Sequence, residues 1–101
     1  MATIDDVRNA AKDAKDKRDE ALAGLDGVTK AEDQKAALQP KNYAVAAAGV
    51  AKTKSGEAFT AAADVNTAEA RDLAREADDA AADAGAAALE AVKLFSQKPK
   101  N

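Results

Sequence analysis

Apolar residues recur along this chain in steps of three and four, with charged residues filling the intervals. Ile4, Val7, Ala11, Ala14, Ala21, Leu25 and Val28 fall on one such row, and Arg18 is its single charged member. That spacing is a seam on one face of an α-helix. Thr3 stands ahead of the row as an N-cap. Asp5 and Asp6 follow in the first turn, where the helix dipole favours negative charge. Gly24 and Gly27 weaken a helix, so the first helix is predicted over about 3–24.

Thr29 and Glu32 have capping-box spacing, which predicts a short helix over about 30–38 that stops ahead of Pro40. Asn42 is positioned to cap a third helix over about 43–63. Its apolar positions are Tyr43, Ala47, Val50, Ala51, Ala58, Ala61, Ala62 and Val65, and Gly56 is a soft spot through which it continues. Asn66 or Thr67 caps the last helix, predicted over about 67–97 with Pro99 beyond its end. Its seam is Ala70, Leu73, Ala77, Ala80, Ala84, Ala87, Ala91 and Leu94, flanked by Ala74, Ala81, Ala88 and Phe95. The pattern predicts a single all-α domain over 1–101, an elongated bundle of three or four helices with coiled-coil-like, Ala-rich seams.

Composition sharpens this picture. Alanine supplies 30 of the 47 apolar residues. A buried alanine removes little more than one methyl from water, roughly 0.8 kcal/mol at most, so a core built this way is thin for a small domain. Small seam residues do let backbones approach closely and gain dispersion contacts. The expectation is a fold completed by self-association or by docking on a larger protein assembly.

Charge adds a second pattern. Glu69, Glu76, Asp83 and Glu90 recur every seven residues along one edge of the last seam, and Arg8 and Lys15 edge the first. Opposite edge charges set partner and register in helical bundles. Three long helices running up-down-up place the first and last parallel, which predicts pairing of Arg8 and Lys15 with the acidic edge. Residues 1–54 carry 10 basic and 9 acidic side chains (+1), and residues 55–101 carry 5 and 9 (−4), which favours contact between the two ends of the chain.

The candidate chemistry is sparse. With no Cys and no His, disulfides, thiolate metal sites and the usual neutral-pH general base are absent. Acidic neighbours occur at Asp5–Asp6, Asp19–Glu20, Glu32–Asp33 and Asp78–Asp79. Adjacent helix positions point in different directions, so these do not form a facing catalytic pair. The stretch 24–33 lacks the alternating ligands of a calcium loop, and 46–58 does not match a phosphate-binding loop. Ser55 and Ser96 have no base to activate them. No catalytic residue, metal site or cofactor is expected, and the chain reads as a non-enzyme. A net charge of −3 argues against nucleic acid, and the longest uncharged run, 42–51, is too short to span a bilayer. The N-terminus lacks the basic and apolar regions of a signal peptide, which leaves the compartment open.

Short stretches carry resemblances. AAKDAKDKRDE (10–20) resembles the Ala- and Lys-rich eleven-residue repeats of late-embryogenesis-abundant stress proteins, and occurs once. DAAADAGAAALEA (79–91) is similar to the Ala-rich helices of fish antifreeze proteins, whose threonines recur at elevens. Here Thr53, Thr60 and Thr67 recur at sevens. In length and helical content the chain is similar to small secreted helical-hairpin proteins with a Trp-x-Gly turn, although it has no Trp.

The leading expectation is a structural or assembly protein, a small helical subunit of a filament, shell or particle. The alternative is an amphipathic, Ala-rich protein acting on a membrane or on ice. With 3% aromatics its apolar stripe predicts weak membrane contact at most.

Overall fold

The computed structural model describes residues 1–100 and contains three helices: α1 (Ile4–Lys30), α2 (Gln34–Val65) and α3 (Ala68–Gln97). They pack up-down-up into a rod of 52 × 15 × 15 Å. No strand occurs among the described residues.

Thr3 caps α1 through a reciprocal box. Its hydroxyl accepts from the Asp6 amide (3.3 Å), and the Asp6 carboxylate accepts from the Thr3 amide (2.9 Å). The helix does not end at Gly24 as expected but runs through both glycines to Lys30. The reason is tertiary. A Cβ at Gly24 would lie 2.7 Å from the Pro40 carbonyl oxygen and 2.8 Å from the Ala44 Cβ; one at Gly27 would lie 2.8 Å from the Pro40 Cβ. The glycines form a notch that admits α2, so their value lies in missing side-chain volume rather than in helix termination.

The predicted short helix 30–38 and the helix 43–63 are one continuous element, α2. Thr29 does not cap it; its hydroxyl donates to the Leu25 carbonyl inside α1. Asp33 does so instead, accepting from the Ala36 amide at 2.8 Å. Pro40 stands inside the helix, where it leaves the Ala36 carbonyl without its amide partner. Ala36 is exposed, and the proline body fills the glycine notch. Asn42, expected as a cap, is therefore mid-helix. The buried face of α2 also differs from the expected row: it is Ala37, Ala44, Ala47, Ala51, Ser55, Ala58 and Ala62, whereas Tyr43 and Val50 are exposed.

Only Asn66 and Thr67 join α2 to α3. Asn66 closes α2 in the left-handed region (φ 55°, ψ 50°), a conformation that Asn tolerates, and Thr67 caps α3 through the Ala70 amide. At the opposite end the Gln34 amide donates to the Pro99 carbonyl, and the Lys98 ammonium to the Thr29 carbonyl. The C-terminal segment thus fastens the α1–α2 connection.

Four side-chain layers fill the rod. The two central ones are alanine from all three helices: Ala11, Ala14, Ala58 and Ala77 in one, and Ala21, Ala51 and Ala84 in the next. Larger side chains close the ends, with Ile4, Val7, Val65 and Leu73 at one and Val28, Leu94 and Phe95 at the other. Every buried apolar residue is alanine except Val7 and Val28.

Candidate functional site

The predicted packing seams lie inside the molecule. Val7, Ala11, Ala14, Ala77, Ala80, Ala84, Ala87 and Ala91 are buried, and Ile4, Leu25, Leu73 and Leu94 are partly buried against them. These residues are spent on the bundle's own core, so a surface for a partner has to be sought on the outside.

The predicted charged edge is half occupied. Arg8 donates to Glu69 and Lys15 to Glu76, both at 2.5 Å and both separated by 61 residues in sequence. A constant separation means that α1 and α3 run parallel in one register. Advancing that register by sevens sets Asp83 against Leu22 and Glu90 against Thr29, which offer no charge. Leu22, Leu25 and Asp83 indeed line one shallow depression. Neither Asp83 nor Glu90 forms an ion pair among the described residues. Arg8 also holds Asp5, and its guanidinium pKa is raised above the ordinary value, chiefly by the hydrogen bond to Glu69.

The acidic neighbours do structural work or face solvent. Asp6 and Asp33 cap helices, Asp5 pairs with Arg8, and Asp19 pairs with Arg18. Glu20 takes an ion pair from Lys17 and a hydrogen bond from the Tyr43 hydroxyl at 3.1 Å. That bond raises the Tyr43 pKa above its usual 10.0, with desolvation as a second cause. An open groove between α1 and α2 carries Asp6, Asp13, Glu57 and Asp64. Asp6 serves its cap, Asp13 and Glu57 approach Lys54, and Asp64 accepts from the Ala2 amide. No group of three or more acids among the described residues is arranged to hold a metal ion. The Ser96 hydroxyl donates to the Val92 carbonyl, and Ser55 is buried in the α2 seam.

No known protein family, curated protein or solved structure matches this chain.

One surface stands apart from the polar exterior. Leu38, Val45, Phe59, Leu89 and Val92 are exposed, Phe59 to 67% and Leu89 to 75%, and helical spacing from Phe59, which lines a groove with α3, puts them on the side where α2 meets α3; Leu22, Tyr43 and Val50 are exposed elsewhere. Sequence reading missed it because the seam pattern was assigned to the interior alone. A signal was present: Leu38, Val45, Lys52 and Phe59 recur at sevens, as do Asp78, Gly85 and Val92. No described helix is long and apolar enough to cross a membrane.

Proposed function

We propose that this chain is a non-enzymatic structural protein, a small helical subunit of a larger assembly such as a filament, shell or particle. The observation that carries this reading is the inverted placement of apolar side chains. Alanine occupies the two central core layers, while Leu38, Val45, Phe59, Leu89 and Val92 stand outside on one face. Exposed contiguous apolar surface marks interaction sites, and large side chains bury the area that association requires. The short links and slender shape suit a strut rather than a container for a reacting molecule. Sedimentation of the purified chain at micromolar concentration tests the reading. Association with retained helicity is the expected result, whether or not anionic vesicles are added. A fully folded monomer that binds no partner overturns it.

A further inference from the structure

The α2–α3 face has a charge arrangement that restricts what can cover it. The side of α2 that turns towards α3 is fixed by two contacts. The Lys41 ammonium lies 4.6 Å from the centre of the Phe95 ring, and Phe59 lines a groove with Ala74, Arg75 and Asp78. Leu38, Val45, Lys52 and Phe59 share that side at seven-residue intervals; Asp78, Gly85 and Val92 share the facing side of α3, with Ala82 and Leu89 beside them. Most charges on this face are already engaged. Lys41 sits over Phe95, Arg75 pairs with Asp72 at 3.2 Å, and Arg71 donates to Asn66 at 3.2 Å. Lys52 on α2 and Asp78 on α3 remain beside the α2–α3 groove with no ion pair among the described residues; Lys93 stands further round α3, in the row of Arg75.

Both stand near the middle of the rod. Ala51 packs in the layer of Ala84, and Ala58 in that of Ala77, so Asp78 stands level with residue 57, about five residues or 7–8 Å along the axis from Lys52. A two-fold axis along the rod lays α2 of one copy on α3 of the other and keeps every residue at its own level. Lys52 of each copy then meets Asp78 of the other, across an axial offset of about 7–8 Å that the lysine and aspartate side chains together span. The same operation brings Val45 over Leu89 and the Phe59 ring over Arg75, pairing apolar with apolar and ring with guanidinium. A two-fold across the middle of the rod instead lays α2 on α2 and α3 on α3, which sets Lys52 near Lys52 and carries each Asp78 about 20 Å from its copy. Like charges facing one another reject that arrangement. The hydrocarbon of a lipid surface has no complement for an acid and a base centred in the apolar stripe.

We infer that the α2–α3 face is the surface on which two copies of this chain associate side by side and parallel, Lys52 of each pairing with Asp78 of the other. The inference rests on the assembly reading above and specifies its first contact. Isologous pairing of this kind is the commonest oligomer geometry.

Sedimentation equilibrium of the full chain, from micromolar to near-millimolar concentration, tests it. The expected result is a dimer whose dissociation constant rises about 100-fold or more in the V45E/L89E double variant. Both positions are exposed in the single chain, so helicity should be unchanged. Lys52→Asp alone should weaken the dimer roughly tenfold, and Asp78→Lys added to it should restore most of the loss. Because the chain has no Cys, nitroxide labels at Lys35→Cys and, separately, Ala68→Cys report orientation cleanly. Parallel copies bring like labels close in both cases, whereas antiparallel copies separate them by nearly the 52 Å length. Association that survives V45E/L89E overturns this surface and leaves the assembly reading standing. Absence of rescue, or long distances between like labels, overturns the parallel pairing. A folded monomer across the whole range overturns the surface and the self-assembly reading together.

Discussion

Gly24 meets Pro40 at the closest approach of α1 to α2: a Cβ on the glycine would sit 2.7 Å from the proline carbonyl oxygen. In an exposed helix, replacing Gly with Ala gains about 1 kcal/mol. At Gly24 the overlap with backbone outweighs this gain, because a carbonyl cannot rotate away as a side chain can. Gly24→Ala should destabilise by about 1–3 kcal/mol. Gly56, with nothing within 4 Å of its Cβ position, should instead gain about 0.5–1 kcal/mol as Ala. Urea unfolding followed by circular dichroism separates the two; equal effects of one sign would refute the notch.

The alanine layers should resist enlargement. Ala51 and Ala84 are fully buried in one layer, so Ala51→Leu forces the helices apart and should cost about 1–3 kcal/mol. Val50, next in the chain but exposed, should tolerate Ala within about 0.5 kcal/mol. Thermal melts of the two variants check the contrast.

Parallel packing of α1 on α3 makes a prediction about the incomplete charge row. Glu76→Lys should lower Tm by no more than about 4 °C, since the Lys15–Glu76 pair is exposed and screened by salt. Adding Lys15→Glu should recover the loss. Extending the row is the more informative step: Leu22→Lys should reach Asp83, and Thr29→Lys should reach Glu90. Both variants should raise Tm at low ionic strength, with the gain fading in molar salt. No gain at low salt would mean that the 61-residue register does not continue to this end.

The Tyr43–Glu20 bond links stability to alkaline pH. The folded-state pKa of Tyr43 is raised, so its contribution is fully present below the ordinary value of 10.0 and is lost as pH rises through the folded value. Lys12 and Lys30, raised chiefly by the hydrogen bonds they donate to Asp16 and Asp26, act with the same sign. Melting temperatures should therefore fall above about pH 10, and Tyr43→Phe should flatten part of that fall. An identical alkaline profile for Tyr43→Phe would exclude the bond as a source.

Much of α1 and α3 was legible in the sequence because their apolar rows are long and their other faces strongly charged. The capping residues Thr3 and Thr67 were legible for the same local reason. The start of α2 was not. Gly24, Gly27 and Pro40 each signal a break when read singly, but the three fit one another across two helices, and only tertiary packing turns them into a joint. Tyr43 and Val50 drew attention as large apolar residues, whereas the chain buries Ala44 and Ala51 beside them. Size is a poor guide where close backbone approach decides which face turns inward. The pairing of Arg8 and Lys15 with Glu69 and Glu76 followed from strict sevens. Its failure at Asp83 and Glu90 followed from residues 22 and 29, which the acidic row alone does not reveal.

A seam of alanine has little positional memory. Sliding α3 past its neighbours by seven residues exchanges Ala77 for Ala84 and Ala80 for Ala87 in the central layers and leaves most of those contacts intact. The unique alignment of this rod is therefore encoded away from its middle. The Pro40 ring in its glycine notch, the two-residue link at Asn66–Thr67 and the large side chains at either end act as stops. Loosening a stop should release sliding between registers before it unfolds any helix.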